Sequence, residues 1–334
     1  MITIKQIAEL AGTSRGTVDR VLNRRGNVSP DIEKLVLKIA KEHNYRSNPF
    51  AKALAKRGAK YTIGIIINSI GNMFFDDVIV GINETVEKYK EYGLEVLIRE
   101  IKGYDENEQL EALVELSAHN LSALVITPID HPLIEKKLAA LSPLPIVALN
   151  SDIHFDRKLA FIGCDYYNSG GLSGDIAELM LPNGGDISII TGSFHMLGHN
   201  ERIRGFKDAL KNKGNIRIVS TDANDDDNEI SYSATAAVLE RYNPDLLYFC
   251  AAGTEGGVRA VKDSSSSARV IVVDDIKPMR DYLADGSINA IITQQPYCQG
   301  ELTIETLYQY FVYGYSPDQV NCYTENQVRL RHSK

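Results

Sequence analysis

Thr3 to Leu22 reads TIKQIAELAGTSRGTVDRVL, two short helical segments with a tight turn between them. Thr3 can cap the first, with Gln6 at the reciprocal capping-box position, and Ile4, Ile7, Ala8 and Ala11 share one helical face. Gly12 ends that segment. Ser14 can cap the second, in which Val18, Val21 and Leu22 point inward while Arg15, Gly16, Thr17 and Arg20 face out. A third helix is opened by Ser29 and Pro30, with Ile32, Leu35, Val36, Ile39 and Ala40 on one face to close a three-helix core. This is the pattern of a helix-turn-helix, whose outward face enters a DNA groove.

The charge follows the same division. Residues 1–60 hold thirteen Lys and Arg against five Asp and Glu, a net charge of +8, and the rest of the 334-residue chain carries −16. Concentrated cations displace condensed counterions from phosphates, so a basic arm on an acidic body suits nucleic acid. Four cysteines, Cys164, Cys250, Cys298 and Cys322, are widely spaced without a CxxC pair and are expected as reduced thiols. The chain opens on an amphipathic helix, and no apolar run approaches a membrane span, so a cytoplasmic protein without a membrane partner is expected.

Residue by residue, the first stretch resembles the headpiece of the LacI/GalR family of bacterial transcription regulators. Ser47 to Leu54, SNPFAKAL, is similar to that family's hinge helix, which orders on operator DNA and enters the minor groove; Leu54 stands at its intercalating leucine. The resemblance implies that Arg15 reads base edges, Gly16 permits close approach, Thr17 touches phosphate or base, and Arg20 binds the backbone. It places Thr3, Ser14, Asn23 and Ala51 among the DNA contacts too. Asp19 departs from the serine common in relatives; a carboxylate there would pair with a neighbouring arginine or read cytosine N4.

From Thr62 onward, apolar runs alternate with helical patterns. Strands are expected at Thr62 to Asn68, Glu95 to Glu100, Ala123 to Thr127, Ile146 to Leu149 and Ala160 to Gly163. Five more are expected at Asp186 to Thr191, Ile216 to Thr221, Leu246 to Cys250, Val270 to Val273 and Ala290 to Thr293. The alternation implies an α/β fold with parallel sheets covered by helices. About 270 residues of it suggest two lobes. The family resemblance implies a two-lobed periplasmic-binding-protein type I fold, with three crossings between lobes near Gly163 to Asp165, Thr293 to Pro296 and Pro317 to Tyr323. The expected domains are a headpiece at 1–46, a hinge helix and linker at 47–60, an N-lobe at 61–164 and 296–322, and a C-lobe at 165–295 and 323–334.

Ligands of open α/β sheets bind beyond the carboxyl ends of the strands. There the resemblance to sugar-binding relatives marks Asn72, Phe74 and Phe75 for stacking and hydrogen bonding, Asn150 for an amide contact, and Arg202, Asp275 and Gln294 for polar contacts. An aromatic ring beside an amide suits the apolar face and polar rim of a sugar. Ser151, where relatives carry arginine, and Ala251-Ala252, where many carry Asn-Asp, imply a ligand list altered from common pentose and hexose sites.

Other signals point nowhere further. His195 and His199 are four apart but lie around Gly198 in a loop-like setting with no intervening Glu, so no metal is expected. The run Asp222 to Glu229 starts like a calcium loop, then fails at Asp227 and Ser233, and is read as a solvated turn. Gly170-Gly171 and Gly184-Gly185 lack dinucleotide or Walker spacing, and no nucleophile elbow appears, so neither cofactor nor catalysis is expected. The chain is therefore read as a dimeric regulator, expected to be a repressor, whose partners are operator DNA and a small sugar or polyol. The competing readings are a sugar receptor with no DNA role and, further off, an α/β oxidoreductase.

Overall fold

The computed structural model describes residues 2–22, 26, 28–43 and 59–333, in two compact units, Met1–Lys56 and Arg57–Lys334. Asn23, Ala51, Leu54 and the whole expected hinge helix lie outside the described residues.

In the first unit, α1 (Ile4–Leu10) starts at a complete capping box: the Gln6 N–H donates to Thr3 Oγ1 at 3.3 Å, and the Thr3 N–H donates to Gln6 Oε1 at 3.0 Å. Gly12 turns the chain at φ +61°. The α2 helix (Arg15–Leu22) starts from Ser14, whose Oγ accepts the Thr17 N–H at 3.1 Å. Pro30 opens α3 (Pro30–Glu42), but Ser29 before it makes no side-chain cap. Ile7, Ala8, Ala11, Val18, Val21, Val36, Ile39 and Ala40 form the core. Leu35, expected inside, is exposed, because the buried stripe of α3 runs through Val36, Ile39 and Ala40.

The second unit opens with β1 (Tyr61–Ile67), α4 (Phe74–Lys88), β2 (Leu94–Glu100), α5 (Glu106–Ser117), β3 (Ala123–Ile126), α6 (Pro132–Ala140), β4 (Ile146–Leu149) and β5 (Ala160–Cys164). It continues through α7 (Tyr166–Met180), β6 (Gly185–Thr191), α8 (Leu197–Leu210), β7 (Ile216–Ala223), α9 (Asn228–Tyr242) and β8 (Leu246–Phe249). The last elements are α10 (Thr254–Asp263), β9 (Arg269–Val273), α11 (Lys277–Asp285), β10 (Ala290–Thr293), α12 (Pro296–Tyr308), β11 (Asn321–Thr324) and β12 (Gln327–Arg329). Two six-stranded sheets result, ordered β11-β5-β4-β3-β1-β2 and β12-β10-β9-β8-β6-β7. All pairings are parallel except β10 with β12, which is antiparallel.

The chain passes between sheets after β5, after β10, and between β11 and β12. The last passage falls later than the expected 317–323, because Asn321–Thr324 first pairs with β5 in the first sheet. Neither β11 nor β12 carries an apolar run; both are short edge strands with largely exposed polar residues.

In each lobe, the helix entered from a crossing packs tightly on the helix that carries cavity residues. A Cβ on Gly300 of α12 would lie 2.1 Å from the Val78 carbonyl oxygen of α4. One on Gly170 of α7 would lie 1.9 Å from the Arg202 carbonyl oxygen of α8. Only glycine permits these crossings, and they fix where Phe74, Phe75 and Arg202 stand.

Candidate functional site

At the carboxyl ends of both sheets lies a cavity lined by Asn72, Phe74, Phe75 and Asn150 from the first lobe and by Arg202, Asp226, Asp274 and Gln294 from the second. Asn72 begins the approach to α4: its Oδ1 accepts the Phe74 N–H at 3.1 Å. Phe74 and Phe75 meet edge to face, with centroids 5.4 Å apart, and both are 3% exposed. They therefore belong to the core and to the cavity wall at once. The loops of this lobe are fastened by buried Gln109, which donates to the Thr127 carbonyl at 2.9 Å and accepts the Ile129 N–H at 2.9 Å. Asn150 leaves β4 at φ +64° and donates through Nδ2 to Gln299 Oε1 at 3.2 Å.

Arg202 is 2% exposed and, among the described residues, has no carboxylate in direct contact. Its Nη1 donates to the Cys250 carbonyl at 2.5 Å, its Nε donates to Ser169 Oγ at 3.3 Å, and the guanidinium lies 4.7 Å over the Tyr166 ring. Gln294, at the second crossing, donates to Asp274 Oδ1 at 2.6 Å and accepts from the Cys164 thiol at 3.1 Å. Burial raises the Asp274 pKa, opposed by Arg202 and by the Gln294 hydrogen bond.

Asp275 does not reach the cavity. It binds Arg280 and Arg329, each at 3.0 Å, on the far side of the β9 exit. The residue turned inward is Asp274, which adopts φ +70° immediately after β9 and so reverses the direction an extended continuation would give.

Among the further lining residues, Tyr104, Tyr166 and Asp226 carry no ligand assignment in the sequence, and His199, expected as a polar loop residue near the cleft, lies on a helix. Tyr104 donates a short hydrogen bond across the cleft to Asp226 Oδ2, and Tyr166 donates one to the Asn150 carbonyl. His199 stands on α8 with Nδ1 against the Ser193 backbone; burial first, then Arg202, lowers its pKa to about 3, so it is neutral. Asp226 corrects the reading of 222–229 as a solvated turn. Asp225 and Asp226 take φ +52° and +56°, which turns the Asp226 carboxyl inward, while Asp227 caps α9. Burial pushes Asp226 up to about 6, against the opposing Tyr104 hydrogen bond. The signal available in the sequence was position alone, three residues beyond the end of a strand.

In the first unit, Arg15, Gly16 and Arg20 are exposed along α2. Arg20 Nε donates to the Gly16 carbonyl at 3.3 Å, and the hydroxyls of Ser14 and Thr17 lie 2.9 Å apart. The Thr3 hydroxyl is 3.0 Å from Gln6 Oε1.

Residues 3–48 match the family of bacterial regulatory proteins named for lacI, and residues 63–314 match the periplasmic binding protein domain. The chain is 30% identical over 261 residues to the probable HTH-type transcriptional repressor ExuR of Bacillus subtilis, covering 75% of this chain and 73% of that one. The chain belongs to the LacI family. It is a DNA-binding transcriptional regulator whose helix-turn-helix precedes a periplasmic-binding-protein-like domain. Another LacI-type relative in the match is the ribose operon repressor of Haemophilus influenzae, 30% identical over 215 residues, or 63% of this chain and 60% of that one. The fold of the second unit is shared with GanP, a glucose-galactose binding protein from Geobacillus stearothermophilus, at a TM-score of 0.74 and 21% identity over 81% of this chain and 98% of that one. Among the described residues, no helix of this LacI-family member is long and apolar enough to cross a membrane.

Proposed function

We propose that this LacI-family regulator is a cytoplasmic homodimeric repressor whose operator affinity is set by a sugar or polyol closed between the lobes. One observation carries the ligand class: a phenyl pair and amides from one sheet face a guanidinium, a carboxylate and Gln294 from the other across a single cavity. Rings cover the C–H face of a pyranose or furanose, and the polar groups meet its hydroxyl rim. The names of the ribose operon repressor and of the glucose-galactose binding protein agree with that class.

Two headpieces of a dimer would engage a roughly palindromic operator, because a two-fold protein matches two-fold half-sites. In that reading Arg15 meets base edges, Gly16 allows approach, Thr17 meets phosphate or base and Arg20 meets the backbone, supported by Thr3, Ser14, Asn23 and Ala51. Leu54 is the minor-groove wedge. Lobe closure changes how the paired N-lobes present the two hinge segments, with a coupling of about 1–3 kcal/mol.

Thermal melting of the whole protein against pentoses, hexoses and polyols tests the cleft. A ligand at a hundredfold excess over Kd adds about 2.7 kcal/mol, or roughly 2–4 °C per kcal/mol in a domain of this size. The same ligand should then change operator affinity in an anisotropy titration. No shift with any sugar, together with operator affinity indifferent to all of them, removes the ligand reading and leaves the DNA-binding one.

A further inference from the structure

The cavity has an inner void of about 30 Å³ and an outer recess of about 250 Å³, and both are bounded by Asn68, Asn72, Tyr104 and Asp226. The inner void has room for about one water, so a sugar enters only when the Tyr104 to Asp226 hydrogen bond parts and the lobes separate. A ligand entering through the outer recess therefore passes Asp226. Its Oδ2 is taken by Tyr104 while the lobes are closed, and its Oδ1 is buried with no hydrogen-bond partner; the Ala252 amide favours the anion from nearby without completing a bond.

We propose that Asp226 is the charge-selecting residue of the cleft, admitting neutral or cationic polyols and rejecting anionic ones such as uronic acids and sugar phosphates. This rests on the effector reading above. An ionised carboxylate only accepts hydrogen bonds, so its empty oxygen needs a ligand O–H or N–H. A ligand carboxylate or phosphate offers no such hydrogen and adds like-charge repulsion in a site with little water. Near neutral pH Asp226 is mostly ionised, since burial lifts it only to about 6.

The groups around it sharpen the bias. Among the described residues, Arg202 is the only lysine or arginine lining the inner cavity, and it faces two carboxylates, Asp226 and Asp274. Its donors already serve the Cys250 carbonyl and Ser169. His199 supplies no second cation, being held neutral by burial and by Arg202. The outer recess carries Asp225, Asp227 and Glu229 against Lys102. An anion thus meets excess negative charge at the mouth and again inside.

The test is titration calorimetry on the full chain at pH 7.5 with matched sets. One set is D-glucose, D-glucosamine, D-glucuronate and D-glucose 6-phosphate; the others are the galactose and ribose counterparts. Within the set that binds, the neutral or amino sugar is expected to bind at least roughly tenfold tighter than the acid or phosphate, and Asp226→Asn is expected to shrink that ratio. Tyr104→Phe, which removes the cross-cleft donor and keeps the charge, should weaken all members of the set together. An acid or phosphate binding as tightly as its neutral counterpart overturns the charge selection while leaving the cleft intact. A ratio unmoved by Asp226→Asn overturns the assignment to this residue. Absence of saturable binding by every sugar, with operator binding intact, overturns the effector reading itself.

Discussion

The first lobe brings to the cavity two phenyl rings and three amides, Phe74, Phe75, Asn68, Asn72 and Asn150, whereas the second brings a guanidinium and two carboxylates, Arg202, Asp226 and Asp274. Both lobes place these groups by the same means, a sheet whose strands end at the cleft and a helix pair clamped through glycine. The architecture is repeated and the chemistry is divided. A neutral wall gives shape and apolar contact that varies little with pH, while a charged wall gives directional hydrogen bonds in a place where charge is expensive to bury. The second lobe should therefore dominate both the stability and the pH response of the closed form.

Replacing Arg202 tests that asymmetry most severely. Arg202→Met keeps most of the volume but removes the cation over Tyr166 and the donor to the Cys250 carbonyl, and it leaves Asp226 and Asp274 without a counter-charge. Breaking a buried charge arrangement of this kind costs about 3–5 kcal/mol, so the melting temperature should fall by roughly 6–20 °C and the effector shift should vanish. On the neutral wall, Asn72→Ala removes an acceptor for the Phe74 N–H and should cost only about 1 kcal/mol. Equal losses in the two variants would break the comparison.

The difference between the walls also explains what could be read in advance. Rings and amides at the start of α4 and Asn150 at the exit of β4 lie beyond apolar strands, and there the resemblance to sugar-binding relatives was enough to mark them. On the charged wall the decisive feature is a left-handed residue. At φ +70°, Asp274 exchanges places with Asp275, and the pair at φ +52° and +56° sends Asp226 inward out of a run of acids that looks solvated. Neither conformation is encoded by hydrophobic periodicity, because aspartate tolerates the left-handed region without requiring it. Tyr104 was invisible for another reason: its partner Asp226 lies 122 residues away and on the other lobe. The helix-turn-helix was legible down to its capping box because that information is local.

A smaller effect separates the two titratable groups beside the latch. Asp226 is raised from its ordinary 3.8 to about 6, so its favourable contribution is present below about 4 and is lost as the pH rises through about 6. His199 is lowered from 6.5 to about 3, so its contribution is present above 6.5 and is lost on acidification. The two oppose each other between pH 7 and 5. The difference in melting temperature between the wild type and Asp226→Asn isolates the carboxylate, and acidification from pH 7 to 5 should move it in favour of the wild type. The gain should be on the order of 1 kcal/mol, at about 1.4 kcal/mol per pKa unit over the one unit between pH 6 and pH 5. A flat difference would mean that the closed lobes do not bury Asp226 in solution, and the charged wall would lose its claim to the pH response.

The finest contrast is between two neighbours. Asp275→Asn weakens ion pairs with Arg280 and Arg329, which are partly exposed, and pairs of that kind contribute at most about 1 kcal/mol. Ligand affinity should not change, because the side chain lies outside the cavity. Asp274→Asn keeps the shape and, with its amide oxygen toward Gln294, keeps that hydrogen bond, yet it removes a buried negative charge within the field of Arg202. It should weaken sugar binding by roughly tenfold, the effect of losing one charged hydrogen bond, with little change in melting temperature. The opposite pattern, with binding lost in Asp275→Asn and retained in Asp274→Asn, would mean that β9 exits in the extended conformation. The charged wall would then be built from the outward residue, and the left-handed turn at Asp274 would have no part in recognition.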